Sequence, residues 1–199
     1  MEVGSNSGED TLRLLEAFPE SRVMAFEPDP RAAARWRQNV KNSRASLHEC
    51  VVSSEQGTVQ FFQSEGIPPD EQLLTDVKDW DLSGSIRRPA AHRQVHPWVK
   101  FRDPISVPSV TLDSFCASIG LFEGHKEVAL IWVDVQGAEA DVIAGGHETL
   151  RRTRYFYTEF SNDYLYEGQV NLRELAKLLP NFRISRIWKN DVLFENVRL

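Results

Sequence analysis

The chain has 199 residues, of which 41% are hydrophobic and 26% charged, and a formal net charge of -6. That length suits one domain with a sizeable core, the composition excludes fibrous and disordered classes, and the acidic balance excludes a general nucleic-acid binder, which needs a basic face to displace phosphate counterions. Cys50 and Cys116 have no metal-site or disulfide spacing, no apolar run reaches the ~20 residues of a bilayer crossing, and no signal-like core follows Met1, so a cytoplasmic protein is expected.

The chain opens on Glu2-Val3-Gly4-Ser5-Asn6-Ser7-Gly8-Glu9-Asp10-Thr11, a glycine-bracketed turn from a short apolar strand into an amphipathic helix over Glu9 to Ala17. Gly4 and Gly8 give the backbone conformations and the close approach that a ligand at a helix N-terminus requires. Only Met1, Glu2 and Val3 precede Gly4, whereas a strand usually has ~5 to 6 residues; either the first strand is short or residues that relatives place upstream are lacking. Arg22 to Glu27 reads as a buried parallel strand closed by Pro28-Asp29-Pro30, Arg31 to Asn39 as a helix, and Leu47 to Val52 as a third strand. This alternation predicts a parallel sheet with right-handed crossovers.

The run Thr58 to Phe62 then suggests an antiparallel hairpin strand. From Gln63 to Pro104 no period persists. This stretch is first acidic (Glu65, Asp70, Glu71, Asp76, Asp79, Asp81) and then basic (Arg87, Arg88, Arg93, Lys100, Arg102), and a long irregular stretch inside a domain is usually a functional loop, a lid or a disordered segment. A mobile lid whose arginines favour an anionic acceptor is expected here, with Ser83-Gly84-Ser85 near the acceptor pocket and His92 and His96 solvated. Ile105 to Val110 is a strand, and Thr111 opens a helix ending near Gly120. Glu127 to Val133 is the most apolar strand, and Ala140 to Leu150 a helix interrupted by Gly145 and Gly146. Tyr155 to Phe160 is a strand, Leu172 to Leu179 a helix, and Phe182 to Trp188 with Val192 to Asn196 a closing hairpin. No internal repeat or linker interrupts residues 1–199, which form a single expected domain with 63–104 inserted.

Three acids, Glu27, Asp134 and Glu159, end three of the predicted parallel strands. Ligands of open α/β sheets bind outside that edge, and an acid about twenty residues past a glycine loop commonly accepts from ribose hydroxyls. The dinucleotide fingerprint needs glycines at its first, third and sixth positions, where this chain has Gly4, Asn6 and Glu9. Glu2, Glu9 and Asp10 would also repel a pyrophosphate. A cofactor with a sulfonium and an ammonium and no phosphate tolerates them, which favours S-adenosylmethionine over NAD.

The opening loop, Phe26-Glu27-Pro28-Asp29, Thr111-Leu112-Asp113-Ser114-Phe115, Asp134-Val135-Gln136-Gly137-Ala138-Glu139 and Asp191-Val192-Leu193-Phe194 together resemble the FkbM family of S-adenosylmethionine-dependent methyltransferases, in the expected order over nearly the whole chain. The resemblance implies an α/β fold: the Rossmann-like class I methyltransferase arrangement, a mostly parallel seven-stranded sheet with an antiparallel C-terminal hairpin. It implies that Gly4, Ser5, Asn6 and Gly8 hold the methionine part with Glu2 near its amino group, that Glu27 holds the ribose, and that Cys50, Val51 and Val52 border the adenine with Ser53 as a polar contact. Asp134 would face the transferable methyl. The expected reaction is methyl transfer to a hydroxyl of a small metabolite or glycan, with Asp134 orienting or deprotonating that hydroxyl and Glu159 as a second carboxylate. Gln136 stands where the family more often has an acid and Trp132 where it often has a lysine. Glu139 suits a helix N-terminus, and no metal site is indicated. The alternatives are a methyltransferase-like binding module without catalysis and a nicotinamide-dependent oxidoreductase; the sequence leaves the acceptor and the oligomeric state open.

Overall fold

In a computed structural model, residues 1–69, 80–124 and 126–199 are described; the acids Asp70, Glu71, Asp76 and Asp79 of the predicted acidic run lie outside them. The first half of the chain alternates β1 (Glu2–Val3), α1 (Glu9–Ala17), β2 (Val23–Phe26), α2 (Pro30–Asn39) and β3 (Ala45–His48). β1 is two residues long yet is flanked by parallel neighbours on both sides, with Glu2 and Val3 opposite Ala25 and Phe26 of β2 and opposite Trp132 and Val133 of β9 (Val128–Val133). β9 is followed by α5 (Glu139–Ala144), α6 (His147–Arg151), β10 (Thr153–Glu159), α7 (Leu172–Leu178) and the hairpin β11 (Phe182–Ile187) and β12 (Asp191–Asn196).

The seven strands run β11-β12-β10-β9-β1-β2-β3, parallel except for β12, which is antiparallel to both of its neighbours. This is the expected Rossmann-like class I methyltransferase sheet. After β3 the chain returns to the other side of β1, so strand order reverses between β1 and β9. A crevice opens at such a switch point, beyond the carboxyl ends of the strands.

Strand alternation divides the sheet's faces. Val3, Phe26, Ile131, Val133, Phe156, Val192 and Phe194 point into one core that Val142, Ile143 and Leu175 of α5 and α7 cover. On the opposite face Val23 and Ala25 pack with Leu15 of α1 and Trp36 of α2. α2 begins as its sequence dictates: Pro30 stands at its first position and the Asp29 side chain accepts from the Arg31 amide at 2.9 Å.

The run expected as a third strand, Leu47 to Val52, is two elements. The Cys50 amide donates to the His48 carbonyl at 3.0 Å, and this tight turn ends β3 and sends β4 (Val51–Val52) into a separate sheet. There β4 pairs in parallel with β8 (Ile105–Val110), and β5 (Gly57–Phe61) pairs antiparallel with β8 from the other side. The antiparallel strand expected after Gly57 is present, and its partner is β8, beyond the whole inserted stretch. Within that stretch lie β6 (Ser64–Glu65), α3 (His92–Val95) and β7 (Lys100–Phe101), β6 and β7 pairing antiparallel.

The segment Thr111 to Phe115 knits these parts together. Thr111 and Ser114 form a capping box for α4 (Leu112–Ser118). Asp113 caps α6 across the fold, accepting from the amides of Glu148 (3.0 Å) and Thr149 (2.7 Å). Leu112 is fully buried, and the Phe115 ring meets Phe26 edge-on at 4.8 Å.

The predicted helix over Ala140 to Leu150 breaks into α5 and α6 at Gly145-Gly146, where the small sheet docks. A Cβ on Gly145 would lie 2.1 Å from the Ser53 carbonyl oxygen. Because that conflict is with backbone, Gly145→Ala is expected to lower unfolding free energy by about 1–3 kcal/mol, the usual cost of forcing atoms into a packed site. Urea denaturation measures it, and an unchanged midpoint would show that the two sheets are not held at that joint.

Candidate functional site

The loop from β1 to α1 is built against the end of β9. Gly4 has φ +86°, and a Cβ there would fall 1.8 Å from the Asp134 carbonyl oxygen, so only glycine lets the two backbones touch. The amides of Gly4 and Ser5 both donate to the Phe26 carbonyl at 3.0 Å, and the Asp134 amide donates to the Val3 carbonyl at 2.9 Å. Asn6 turns the chain at φ 42°, a conformation open to asparagine at modest cost.

Beside this loop lies an open cleft, with about 630 Å³ of empty space when its mouth is included. Gly4, Asn6, Glu27, Val51 and Asp134 meet on its wall, and Cys50 and Val52 join them. Glu27 is buried at 5% exposure, and its two carboxylate oxygens each accept a backbone N–H at 2.8 Å, one from Asn6 and one from Asp29. Burial pushes its pKa up to about 8 against the pull of those two hydrogen bonds.

Other predicted site residues lie elsewhere. Glu2 points beneath the loop, away from the cleft wall: its carboxylate accepts from the Thr11 hydroxyl, which in turn accepts from the Trp36 indole N–H at 2.9 Å. Burial raises its pKa to about 7. Gly8, expected against the ligand, has φ +87° and faces α2, where a Cβ would meet Val40 at 2.5 Å and Trp36 at 2.8 Å; packing explains this glycine. Ser5 is buried, contributes its backbone to the loop and has a hydroxyl with no hydrogen-bond partner among the described residues. Ser53 extends the β4–β8 pairing through its amide to Val110 at 2.9 Å and stands off the cleft wall.

The carboxylates at the ends of β9 and β10 form one electrostatic group. The Gln136 amide donates to Asp134 at 2.7 Å from a residue held at φ 51°. Desolvation raises Asp134 to about 6. Glu159 is exposed at the end of β10 and does not line the cleft; partial desolvation, then the charges of Asp134, Asp191 and Glu139, push it up to about 8, while Gln136 opposes them. Glu139 is buried at the start of α5, accepts from the Gly137 amide at 3.1 Å and is raised to about 7 by burial. It stands in the first turn of α5, the helix N-terminus that its sequence position suggested.

The inserted stretch supplies the remaining wall through Asp81, Leu82, Gly84, Ser85 and Ile86. It is anchored from below: the Tyr166 hydroxyl donates to the Ser83 carbonyl at 2.8 Å, and the Ala90 amide to the Leu165 carbonyl at 2.8 Å. Three arginines of this stretch have partners within the protein. Arg87 is paired with Asp141 at 2.6 Å, Arg88 lies over the Phe62 ring and Arg102 is bound to Glu65. His92, expected in solvent, is 2% exposed and packed on Phe101 and Tyr166; burial lowers its pKa to about 4. Asp81 is a wall residue not singled out from the sequence, although it stands two residues before the Ser83-Gly84-Ser85 turn expected in this region. No helix of the described residues is long and apolar enough to cross a membrane.

Because burial raises the Glu27 pKa to about 8 from the ordinary 4.5, its contribution to stability is fully present below about pH 4.5 and lost as pH rises through 8. Relative to Glu27→Gln, the unaltered protein should lose stability between pH 5 and 8 with the slope of one proton. Chemical denaturation at several pH values measures this, and parallel pH profiles for the two proteins would contradict it.

The chain was compared with known proteins. The profile of the methyltransferase FkbM domain matches residues 2–186. The 2-O-methyltransferase NoeI of Sinorhizobium fredii is 45% identical over 204 residues, spanning 100% of this chain and 79% of that protein. Methyltransferase 1 of Beauveria bassiana is 26% identical over 148 residues, spanning 73% of this chain and 57% of that one. The crystal structure of an FkbM methyltransferase from Methylobacillus flagellatus matches with a TM-score of 0.55 at 12% identity, covering 97% of this chain and 42% of that one, a likeness of fold. A family profile running nearly end to end, joined to the strand order and the cleft at its switch point, removes the nicotinamide oxidoreductase alternative: the chain belongs to the FkbM methyltransferase family and is a methyltransferase.

Proposed function

We propose that the chain transfers a methyl group from S-adenosylmethionine to a hydroxyl of a small metabolite or glycan. The observation that carries this reading is the cleft itself. A glycine turn with no room for a side chain, a carboxylate held by two main-chain N–H groups and a second carboxylate at the end of the neighbouring strand share one wall. The name of the 45% identical relative, a 2-O-methyltransferase, supports oxygen as the acceptor atom.

The residues present fit this donor. Asn6 and the Gly4 backbone offer a close, uncharged surface to its methionine part, Glu27 has lone pairs left to accept ribose hydroxyls, and Val51 and Val52 give an apolar border for the base. The acids around the cleft suit a cationic sulfonium and disfavour a phosphate. The donor supplies an already activated methyl group, so the protein's tasks are alignment and proton removal. Asp134 is placed for the second task. Its raised pKa, about 6, leaves it ionised near neutrality and still basic enough to take a proton from an acceptor hydroxyl. Gln136 holds the carboxylate in one orientation through the 2.7 Å hydrogen bond. Glu159, pushed up to about 8, is the second carboxylate of this reading and, when protonated, has a hydrogen-bond donor to give the acceptor.

Calorimetric titration with S-adenosylhomocysteine should show one site; an unmodified chain that binds none would overturn the donor assignment. Asp134→Asn should bind the same ligand while slowing methyl transfer about 10²- to 10⁴-fold, the range of a positioned general base, and full turnover by this variant would remove Asp134 from proton transfer. With an acceptor in hand, kcat/KM should rise as pH passes through about 6, where Asp134 loses its proton; a rate flat from pH 5 to 7.5 would speak against that assignment.

A further inference from the structure

Asp81 arrives from the inserted stretch, far along the chain from the β1–α1 loop, and its side chain is 5% exposed. It lines the same cleft as Glu27. One oxygen is paired with the Arg35 guanidinium of α2, and the other takes a long contact of 3.5 Å from the Asn6 side-chain Nδ2. An ion pair with Arg35, itself 42% exposed, could form at the surface and needs no buried carboxylate on a cleft wall. The arrangement also places two carboxylates near one another, since the charge of Asp81 adds to that of Asp29 in disfavouring an ionised Glu27. A ligand that brings hydroxyl donors offsets this repulsion, because each carboxylate retains free lone pairs. A metal ion is not the counterpart, for no acidic, histidine or cysteine group among the described residues is arranged to hold one.

We propose that Asp81 is a second ribose-binding carboxylate of the donor site, lining the same cleft as Glu27. This rests on the assignment of Glu27 to the ribose of S-adenosylmethionine. Arg35 then has a positioning role: it anchors one Asp81 oxygen and leaves the other toward the cleft. Gly84 fits the same picture. A Cβ there would lie 2.6 Å from the Phe61 ring, so the turn that follows Asp81 is seated on β5 and fixes how far the carboxylate reaches.

The test uses the full chain and calorimetry with S-adenosylhomocysteine, 5′-methylthioadenosine and the 2′-deoxy and 3′-deoxy forms of that nucleoside. Asp81→Asn should weaken S-adenosylhomocysteine about 10- to 100-fold, the factor of one hydrogen bond to a charged group. It should weaken 5′-methylthioadenosine similarly and leave one of the deoxy forms within about threefold, because that form lacks the hydroxyl concerned. Arg35→Gln, which keeps the carboxylate, should cost less than Asp81→Asn. Should Asp81→Asn melt early, Asp81→Glu retains the charge for Arg35 while moving the oxygens, and the same nucleoside comparison is read from it. Equal losses for the ribose and both deoxy forms would reduce Asp81 to a structural partner of Arg35, and unchanged affinity would remove it from the site. Failure of the unmodified chain to bind S-adenosylhomocysteine would instead overturn the donor assignment on which this proposal stands.

Discussion

The contact on which the rest of the site depends is between two backbones. Gly4 lies against the Asp134 carbonyl so closely that a single Cβ cannot be placed between them. That contact joins the first strand's loop to the end of β9 at the point where strand order reverses, and it sets the distance between the proposed methionine-binding turn and the proposed base. The hydrogen bonds from Gly4 and Ser5 to Phe26 and from Asp134 to Val3 hold the same junction from two sides. The two residues of β1 are gripped by parallel neighbours at both edges.

Around that junction the protein keeps acids in places where water is scarce. Glu2, Glu27, Asp134 and Glu139 are each pushed upward in pKa by burial, yet each accepts at least one hydrogen bond from a named protein donor. Buried polar groups that are satisfied in this way rigidify their surroundings. Glu2 shows the effect indirectly: by holding Thr11, which holds Trp36, it ties strand, loop helix and second helix together below the site.

Much of this was legible in the sequence, and the limits have physical reasons. α1 was readable to the residue because Gly8 precedes it and Pro19 follows soon after its last turn, and the acids at strand ends could be found because apolar runs stop at them. The split of Leu47 to Val52 was not, since both halves are apolar and only a main-chain bond from Cys50 to His48 divides them. Glycine roles were ambiguous for a similar reason. Gly4 and Gly8 look alike in the sequence, but one meets a carbonyl at the cleft and the other an indole behind it. In the basic stretch, charge composition does not say where a partner stands; Asp141, which neutralises Arg87, lies on α5, far away in sequence. Asp81 was hidden because its neighbours in space, Asn6 and Arg35, belong to another part of the chain.

The capping of α6 by Asp113 ties two helices into one cooperative unit. Asp113 sits in the first turn of α4, so the amides of Glu148 and Thr149 find their acceptor only when α4 is formed and docked. A short helix such as α6, five residues long, has little stability of its own. Its formation is therefore slaved to that of α4, and slow hydrogen exchange at Glu148 and Thr149 reports the opening of both helices together rather than the fraying of one.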